Sequence, residues 1–327
     1  MSAGPAGASD EVRGTPLPCP SPGGSARSAA RGRLLVFGAT FLWGTSATLA
    51  RFVFQRRQIP VLTVVELRLL ISVALLAPWL ALRRPQSLRV ARRDWGYFLI
   101  LGLCGVAAVQ GSYYHSISVL GVGLAILLQY LAPVLIVIYD AIRGKPVHSH
   151  TLIAVVAAVA GTALVVGNLD PAAIHARAVD WVIGFGSAFA FAFYVVFSKR
   201  GLERYSPETV LVHTFAIAGF FWAVVTPPWR ILAAGYDGAA WLMFLALGVF
   251  STLVPFSLFY AGLKRLSASD ASIVATLEPV VAVFAAATLL GEWLRPLEWL
   301  GAALVLLAAG IASLRVPEAL PAHPERG

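Results

Sequence analysis

The chain carries ten nearly uncharged apolar stretches of about 20 residues, and this feature limits its fold most strongly. Because a bilayer core offers no water to free backbone groups, such stretches must span it as helices or as strands of a closed barrel. A barrel would alternate apolar and polar residues over short segments, and that pattern is missing. The predicted helical spans are residues 33–54, 62–82, 95–116, 120–142, 151–167, 181–198, 209–225, 241–263, 271–290 and 297–314.

Composition agrees with a membrane protein. Hydrophobic residues make up 58% of the chain and charged residues only 13%, and the mean hydropathy is +0.78. The two cysteines, Cys19 in a terminal segment and Cys104 in a span, provide neither a disulfide framework nor a metal cluster. The lipid bilayer is therefore the predicted environment.

The second half of the sequence repeats the first weakly, which indicates internal duplication. Two copies of five spans each follow, and an odd number of spans places the second copy upside down in the membrane. Inverted repeats of this kind occur mainly in transporters, where they enclose a solute site on their pseudo-twofold axis. The matching positions include Phe37 and Phe185, Gly38 and Gly186, Trp95 and Trp241, Gly102 and Gly248, Tyr114 and Tyr260, and Pro133 and Pro279.

The lysines and arginines predict the orientation. With the N-terminus inside, the inner segments carry 18 basic residues and the outer segments carry 6, counted from the printed sequence. Both termini are therefore predicted to be cytoplasmic in a multi-pass cell-membrane protein. The net charge of +9 comes from short loops without an aromatic-interleaved basic patch, so nucleic acid is not a predicted partner.

Each predicted copy ends with a proline-containing span, a glycine turn and a small-residue span. In the second copy these are Ala271 to Pro279, then Leu290, Gly291 and Glu292, then Leu300 to Gly310. This pattern resembles the EamA-like family of the drug/metabolite transporter superfamily over residues 35–315, together with Trp43, Gly44 and Arg68 in the first copy. The first copy departs from it at Ala132 and Lys145, which argues against a duplicated, symmetric substrate site.

The resemblance implies an all-α integral membrane protein with ten transmembrane helices in two inverted five-helix repeats. It also implies a carrier of small metabolites, often an exporter of amino acids or related compounds. We predict a disordered cytoplasmic tail (1–32), a first repeat (33–167), an external linker (168–180), a second repeat (181–315) and a cytoplasmic tail (316–327).

Glu278 is the acidic residue placed well inside a span of the second copy, beside Pro279. An ionisable group at mid-membrane is costly, by about 2.5–3.5 kcal/mol on insertion scales, so it tends to face a cavity or a partner. Glu278 is a candidate for contact with a substrate amine or for proton coupling. The alternative is a packing role at backbone groups freed by the helix-breaking proline, for which Pro133 is the counterpart in the first copy.

Polar and aromatic side chains within the spans form the remaining candidate cavity lining. Helical spacing places Gln110, Tyr113 and Tyr114 on one face of the third span, and Gln129 lies on the fourth. The alternative for these residues is interhelical hydrogen bonding. Trp43, Tyr194 and Tyr260 also lie inside spans, where packing in the core is the competing interpretation. Arg68 lies about 9 Å from its helix end, so it is expected to snorkel to the outer surface.

The fifth and tenth spans are rich in alanine and glycine, which suits close packing against neighbouring helices or against a second protomer in a homo-oligomer. A secondary carrier is the leading function, because the chain contains no phosphate-binding loop. A membrane-embedded enzyme would need clustered acids or histidines, and a channel would need charge rings or a repeated filter. Neither pattern is present, so an enzyme and a channel stay as alternatives to the carrier, and no catalytic residue, metal or cofactor is predicted.

Overall fold

The computed structural model describes residues 22–57, 59–120, 122–166, 176–290 and 296–313. Within these ranges all regular secondary structure is helical, as backbone hydrogen bonding in lipid requires. We number the long helices in chain order. They are α1 (Pro22–Arg57), α2 (Val61–Arg83), α3 (Arg92–Leu120), α4 (Leu124–Ile142), α5 (Ser149–Val166), α6 (Ala178–Arg204), α7 (Pro207–Val225), α8 (Gly238–Leu263), α9 (Ala268–Ala275 and Glu278–Leu290) and α10 (Pro296–Ser313).

Six of these helices, α2, α3, α4, α6, α7 and α8, are long and apolar enough to cross a bilayer. The ten predicted spans thus correspond, among the described residues, to six helices that meet both criteria. Helices α5 and α10 contain shorter apolar stretches, Ser149–Val165 and Trp299–Ile311. Helix α1 begins at Pro22, inside the predicted N-terminal tail. The rest of both tails, linker residues 168–175 and the Gly291–Glu292 turn lie outside the described residues.

Local sequence explains where several helices begin. Ser206, Asp237 and Ser267 lie immediately before α7, α8 and α9, and each side chain accepts a hydrogen bond from a backbone N–H in the first turn. These N-caps satisfy donors that a helix start would otherwise leave unpaired. Polar residues between the apolar stretches therefore fix where these three helices begin.

Contacts between the two halves come in matching pairs. Helix α1 packs against α8 and both parts of α9, and α6 packs against α3 and both parts of α4. Helix α2 packs against α7, and α5 packs against α10. Replacing each helix by its counterpart five positions along the chain converts the contacts of α1 into those of α6 and leaves the α2–α7 and α5–α10 contacts unchanged. The duplicated sequence is thus accompanied by a duplicated pattern of packing.

Helices α5 and α10 meet through their glycines. A Cβ atom at Gly301 would lie 2.6 Å from the Gly161 carbonyl oxygen, and one at Gly161 would lie 2.8 Å from the Gly301 carbonyl oxygen. Such distances require backbone to approach backbone, which only glycine permits. The small-residue faces predicted to pack against neighbours or against a second protomer therefore pack against each other within one chain.

Both copies also contain a π-helical segment at matching positions, Leu101–Ala107 in α3 and Val249–Leu253 in α8. A neighbouring helix packs closely against each one. A Cβ atom at Gly102 would lie 2.7 Å from Ile217 of α7, and one at Gly248 would lie 2.7 Å from Ile71 of α2. Because π turns widen a helix locally and often occur at functional sites, the residues around these two segments are candidates for a functional site.

Candidate functional site

The breaks in α4 and α9 lie at matching positions and place one polar side chain opposite another. Helix α4 is interrupted at Tyr130 and Leu131, and α9 is interrupted at Thr276 and Leu277. Each break ends two residues before a proline. Pro133 and Pro279 lack the N–H that would continue the ladder, which accounts for the position of both breaks. Both prolines are buried.

Glu278 begins the second part of α9, and its carboxylate accepts a hydrogen bond from a tyrosine of α4. Tyr130 Oη donates to Glu278 Oε2 at 2.7 Å. The tyrosine is 5% exposed, whereas Glu278 is partly exposed. The carboxylate of Glu278 is therefore bound by a buried phenol of the other half.

Arg68 of α2 is buried in the same region, so the expectation that it snorkels to the outer surface is wrong. It is 3% exposed. Its Nε donates to Thr252 Oγ1 at 2.7 Å and its Nη2 donates to the Ser251 carbonyl at 3.0 Å. These two acceptors lie in the π-helical segment of α8. Protein acceptors replace water around the guanidinium, and the side chain therefore has no need to reach the surface.

Two aromatic side chains of α3 complete the surroundings of Arg68. The guanidinium carbon lies 4.9 Å from the centre of the Tyr114 ring, in a cation–π arrangement. The Tyr113 ring lies 5.5 Å from the Tyr114 ring, and its hydroxyl is close enough to both Arg68 and Glu278 to interact with them electrostatically. Arg68 and Glu278 also interact electrostatically. We call Arg68, Tyr113, Tyr114, Tyr130 and Glu278 the polar cluster.

The other predicted lining residues are divided between two places. Gln110 is buried on α3, one turn before Tyr113 and Tyr114, and Gln129 is half-buried immediately before the break in α4. Trp43, Tyr194 and Tyr260 lie together in a separate aromatic cluster. The Trp43 ring lies 5.0 Å from Phe256, and the Tyr194 ring lies 5.7 Å from Tyr260. Tyr260 also accepts a hydrogen bond from Ser198 Oγ at 3.3 Å.

Neither the role of Tyr130 nor the burial of Arg68 was predicted from the sequence. Tyr130 follows Gln129 and precedes Pro133 by three residues, so its place between a polar residue and a helix break was a usable signal. For Ser251 and Thr252 the signal was position alone. They follow Leu247, the first residue of the repeated Leu247–Gly248 pair, by four and five residues. Neither residue is unusual in an apolar helix, because its hydroxyl can bond to its own backbone, as Thr252 does to the Leu247 carbonyl at 3.1 Å.

A cavity of about 480 Å³ opens between α4, α6 and the start of α9. Its walls include Tyr139, Lys199 and Ser269. Lys199 Nζ donates to the Leu263 carbonyl at 2.7 Å, which joins α6 to the end of α8 beside this opening. The opening lies on the side of the bundle to which the charge distribution assigns the cytoplasm.

A compact ionic contact joins α3 and α6 at the opposite end of the bundle. His115 Nε2 lies 3.0 Å from Asp180 Oδ1, and Arg177 Nε lies 3.3 Å from Asp180 Oδ2. The Asp180 side chain is only 2% exposed. Among the described residues there is no group of three or more histidine, cysteine, aspartate or glutamate side chains that could hold a metal ion.

The chain is similar in sequence to known transporters. The EamA-like transporter family model matches residues 30–167 and again residues 181–314. The inner membrane transporter YicL of Salmonella typhimurium, described as uncharacterized, is 28% identical over 295 residues, which cover 88% of this chain and 96% of that protein. The threonine/homoserine exporter RhtA of Escherichia coli K12 is 27% identical over 288 residues, which cover 86% and 90%.

Two further similarities are more limited in what they show. An uncharacterized transporter of Archaeoglobus fulgidus is 32% identical over 201 residues, covering 62% of this chain and 70% of that one. A protein of known crystal structure superimposes with a TM-score of 0.70 at 21% identity, covering 86% of this chain and 97% of the other. At that identity the likeness concerns the fold.

Proposed function

We propose that this protein, which belongs to the EamA-like transporter family, is a secondary transporter that exports amino acids or related small metabolites. The family match to both halves of the chain is the observation that carries the proposal. The similarity to a threonine/homoserine exporter over most of both chains supports the choice of solute class. The polar cluster supports it further, because buried ionisable groups in a membrane protein mark solute and ion pathways.

We propose alternating access between two inverted repeats as the mechanism. The paired contacts of α1 with α8 and α9, and of α6 with α3 and α4, are those expected if the halves are related by a twofold axis in the membrane plane. Rocking of one half against the other would expose the polar cluster first to one side and then to the other. The cytoplasmic cavity and the Asp180 contact at the far end are compatible with a route that begins inside.

Transport should be tested with purified protein in liposomes. Vesicles loaded with an unlabelled amino acid should accumulate the same labelled amino acid by counterflow, whereas protein-free vesicles should not. A panel of the twenty amino acids, with homoserine and a small organic cation as added members, would identify the solute class. Failure of every amino acid to exchange, with the protein monodisperse and correctly inserted, would contradict the proposed function.

The same vesicles distinguish a carrier from a membrane-embedded enzyme. Solute recovered after exchange should be chemically unchanged by mass spectrometry if the protein is a carrier. Conversion to a product would favour the enzyme instead. Growth of cells with and without the protein, at inhibitory concentrations of the same amino acids or their toxic analogues, would then give the direction, since an exporter confers resistance.

A further inference from the structure

The Arg68 guanidinium is held by protein groups on two sides only. Thr252 and Ser251 accept from Nε and Nη2, and the Tyr114 ring lies against the guanidinium plane. Among the described residues Nη1 has no hydrogen-bond partner, although this nitrogen is buried. A buried cation with an unpaired N–H is unfavourable, because burial has removed the water that would solvate it. Nη1 therefore lacks one acceptor, and an anionic acceptor would best match its charge.

Glu278 attracts Arg68 but does not provide that acceptor. The two groups interact electrostatically, yet their charged nitrogen and oxygen atoms are more than 4.0 Å apart and form no ion pair. Tyr130 holds Oε2 of Glu278 from the other side. A positive group on α2 and a negative group on α9 thus attract each other without direct contact.

The two charges come from different halves of the chain and are not duplicated. The position 146 residues after Arg68 is Thr214, and the position 146 residues before Glu278 is Ala132. Each half therefore contributes one charge, of opposite sign, and a solute that bridges them can bind in one orientation only. A symmetric solute, or one with a single charge, would leave one of the two groups without a partner of opposite charge.

We propose that a zwitterion binds between Arg68 and Glu278, with the solute carboxylate on Arg68 Nη1 and its ammonium group on Glu278. A free α-amino acid carries these two charges on groups attached to the same carbon, and a guanidinium is well suited to a carboxylate. Ser251 and Thr252 are positioning residues, because they fix the edge of Arg68 that faces the solute. The inference rests on the proposed function and assigns residues and charges to the solute that is exported.

The test uses analogues of whichever amino acid exchanges best in the vesicle assay. Its carboxamide lacks the carboxylate, and its 2-hydroxy acid lacks the ammonium group. Each should compete with counterflow of the labelled amino acid at least tenfold more weakly than the unlabelled amino acid itself. Equal competition by the carboxamide would overturn the assignment of the carboxylate to Arg68 while leaving transport of the amino acid intact. Absence of any exchange would instead contradict the proposed function.

Variants then assign each charge to its residue. Arg68→Gln should bring competition by the carboxamide and the amino acid close to equality while the 2-hydroxy acid remains weak. Glu278→Gln should bring competition by the 2-hydroxy acid and the amino acid close to equality while the carboxamide remains weak. Arg68→Lys, which retains the charge, should keep part of the preference for the carboxylate. Arg84→Gln alters an exposed arginine paired with Glu208, so it should leave both ratios unchanged.

A purely structural role for Arg68 would lower the amount of folded protein or the overall rate without changing these ratios. If Arg68→Gln is monodisperse and discriminates as the unmodified protein does, the assignment is wrong. If that variant does not fold, the ratios for the unmodified protein and for Arg68→Lys still decide the question.

Discussion

Tyr130 and Glu278, 148 residues apart in sequence, are joined by a hydrogen bond of 2.7 Å that connects the break in α4 to the break in α9. Each residue lies where a proline interrupts its helix, and the two breaks occupy equivalent places in the two copies. The contact therefore crosses the interface between the halves at the level of the polar cluster. A movement of one half against the other would change the distance between these two side chains.

Removal of this contact should impair transport more than folding. Tyr130→Phe deletes the donor but keeps the ring, and a hydrogen bond to a charged group contributes about 1.5–3 kcal/mol. We expect transport to fall by roughly tenfold or more, since about 1.4 kcal/mol corresponds to a factor of ten. Counterflow rates at matched protein amounts would measure it, with thermal unfolding as the measure of folding.

Glu278→Gln should insert, remain monodisperse and still exchange solute at a reduced rate, but its rate should no longer respond to pH. The amide preserves shape and hydrogen bonding and removes the charge that would bind an amine or cycle a proton. Rates measured across a range of pH would show the difference. Glu208→Gln is the matched control, because Glu208 lies in an exposed ion pair with Arg84. An unchanged rate and pH profile in Glu278→Gln would make Glu278 a packing residue.

The lining residues of α3 and α4 should affect the apparent affinity for the solute. Gln110→Ala, Tyr114→Phe and Gln129→Ala each remove a hydrogen-bonding group, and Tyr114→Phe keeps the ring that lies on Arg68. At least one should raise the KM for counterflow several-fold. Ser118→Ala, on the exposed end of α3, is the control. Normal KM values in all three variants would place the solute elsewhere.

The segment between α2 and α3 should be cytoplasmic. It carries five arginines between residues 83 and 93, whereas the matching segment between α7 and α8 carries Arg230. With Cys19 and Cys104 replaced, Ser87→Cys should resist an impermeant maleimide in intact cells and react after permeabilisation. Ala234→Cys, exposed between α7 and α8, should react without permeabilisation. The reverse labelling pattern would invert the proposed orientation.

Close packing of α5 on α10 should make their central glycines sensitive to enlargement. Gly161→Val would force side-chain atoms against the Gly301 carbonyl and Val305. We expect a loss of about 1–3 kcal/mol, the usual cost of overpacking. Gly186→Ala adds a methyl group to α6 where no atom of a neighbouring helix lies within 4 Å, so this variant should unfold near the temperature of the unmodified protein. Equal stability of the two variants would show that this contact is not tight in the membrane.

Much of the architecture follows from the sequence because each signal is local. The length and apolarity of α2, α4 and α8 follow from about 20 consecutive residues, and the two prolines mark the breaks in α4 and α9. The repeat spacing also predicts that the spans and prolines of the first copy recur in the second. The EamA-like resemblance rests on Glu278, Pro279 and the turn that follows, and the family match over both halves confirms it.

The composition of the polar cluster did not follow from the sequence. Helical rise gives the depth of Arg68 along α2 but not what lies across from it, so snorkelling was the expected outcome for an arginine near a helix end. The structure places the Ser251 carbonyl and Thr252 hydroxyl there instead. Tyr130 was overlooked because a tyrosine in an apolar helix is usually a packing residue.

The sequence alone therefore determined that the chain is built from apolar helices arranged as two related copies, since burial in lipid acts on each segment separately. The tertiary structure decided which side chains meet. Arg68 contacts residues 183 and 184 positions away, and Tyr130 contacts one 148 positions away. No periodicity within a helix reports such partners, because they depend on how the two copies pack together.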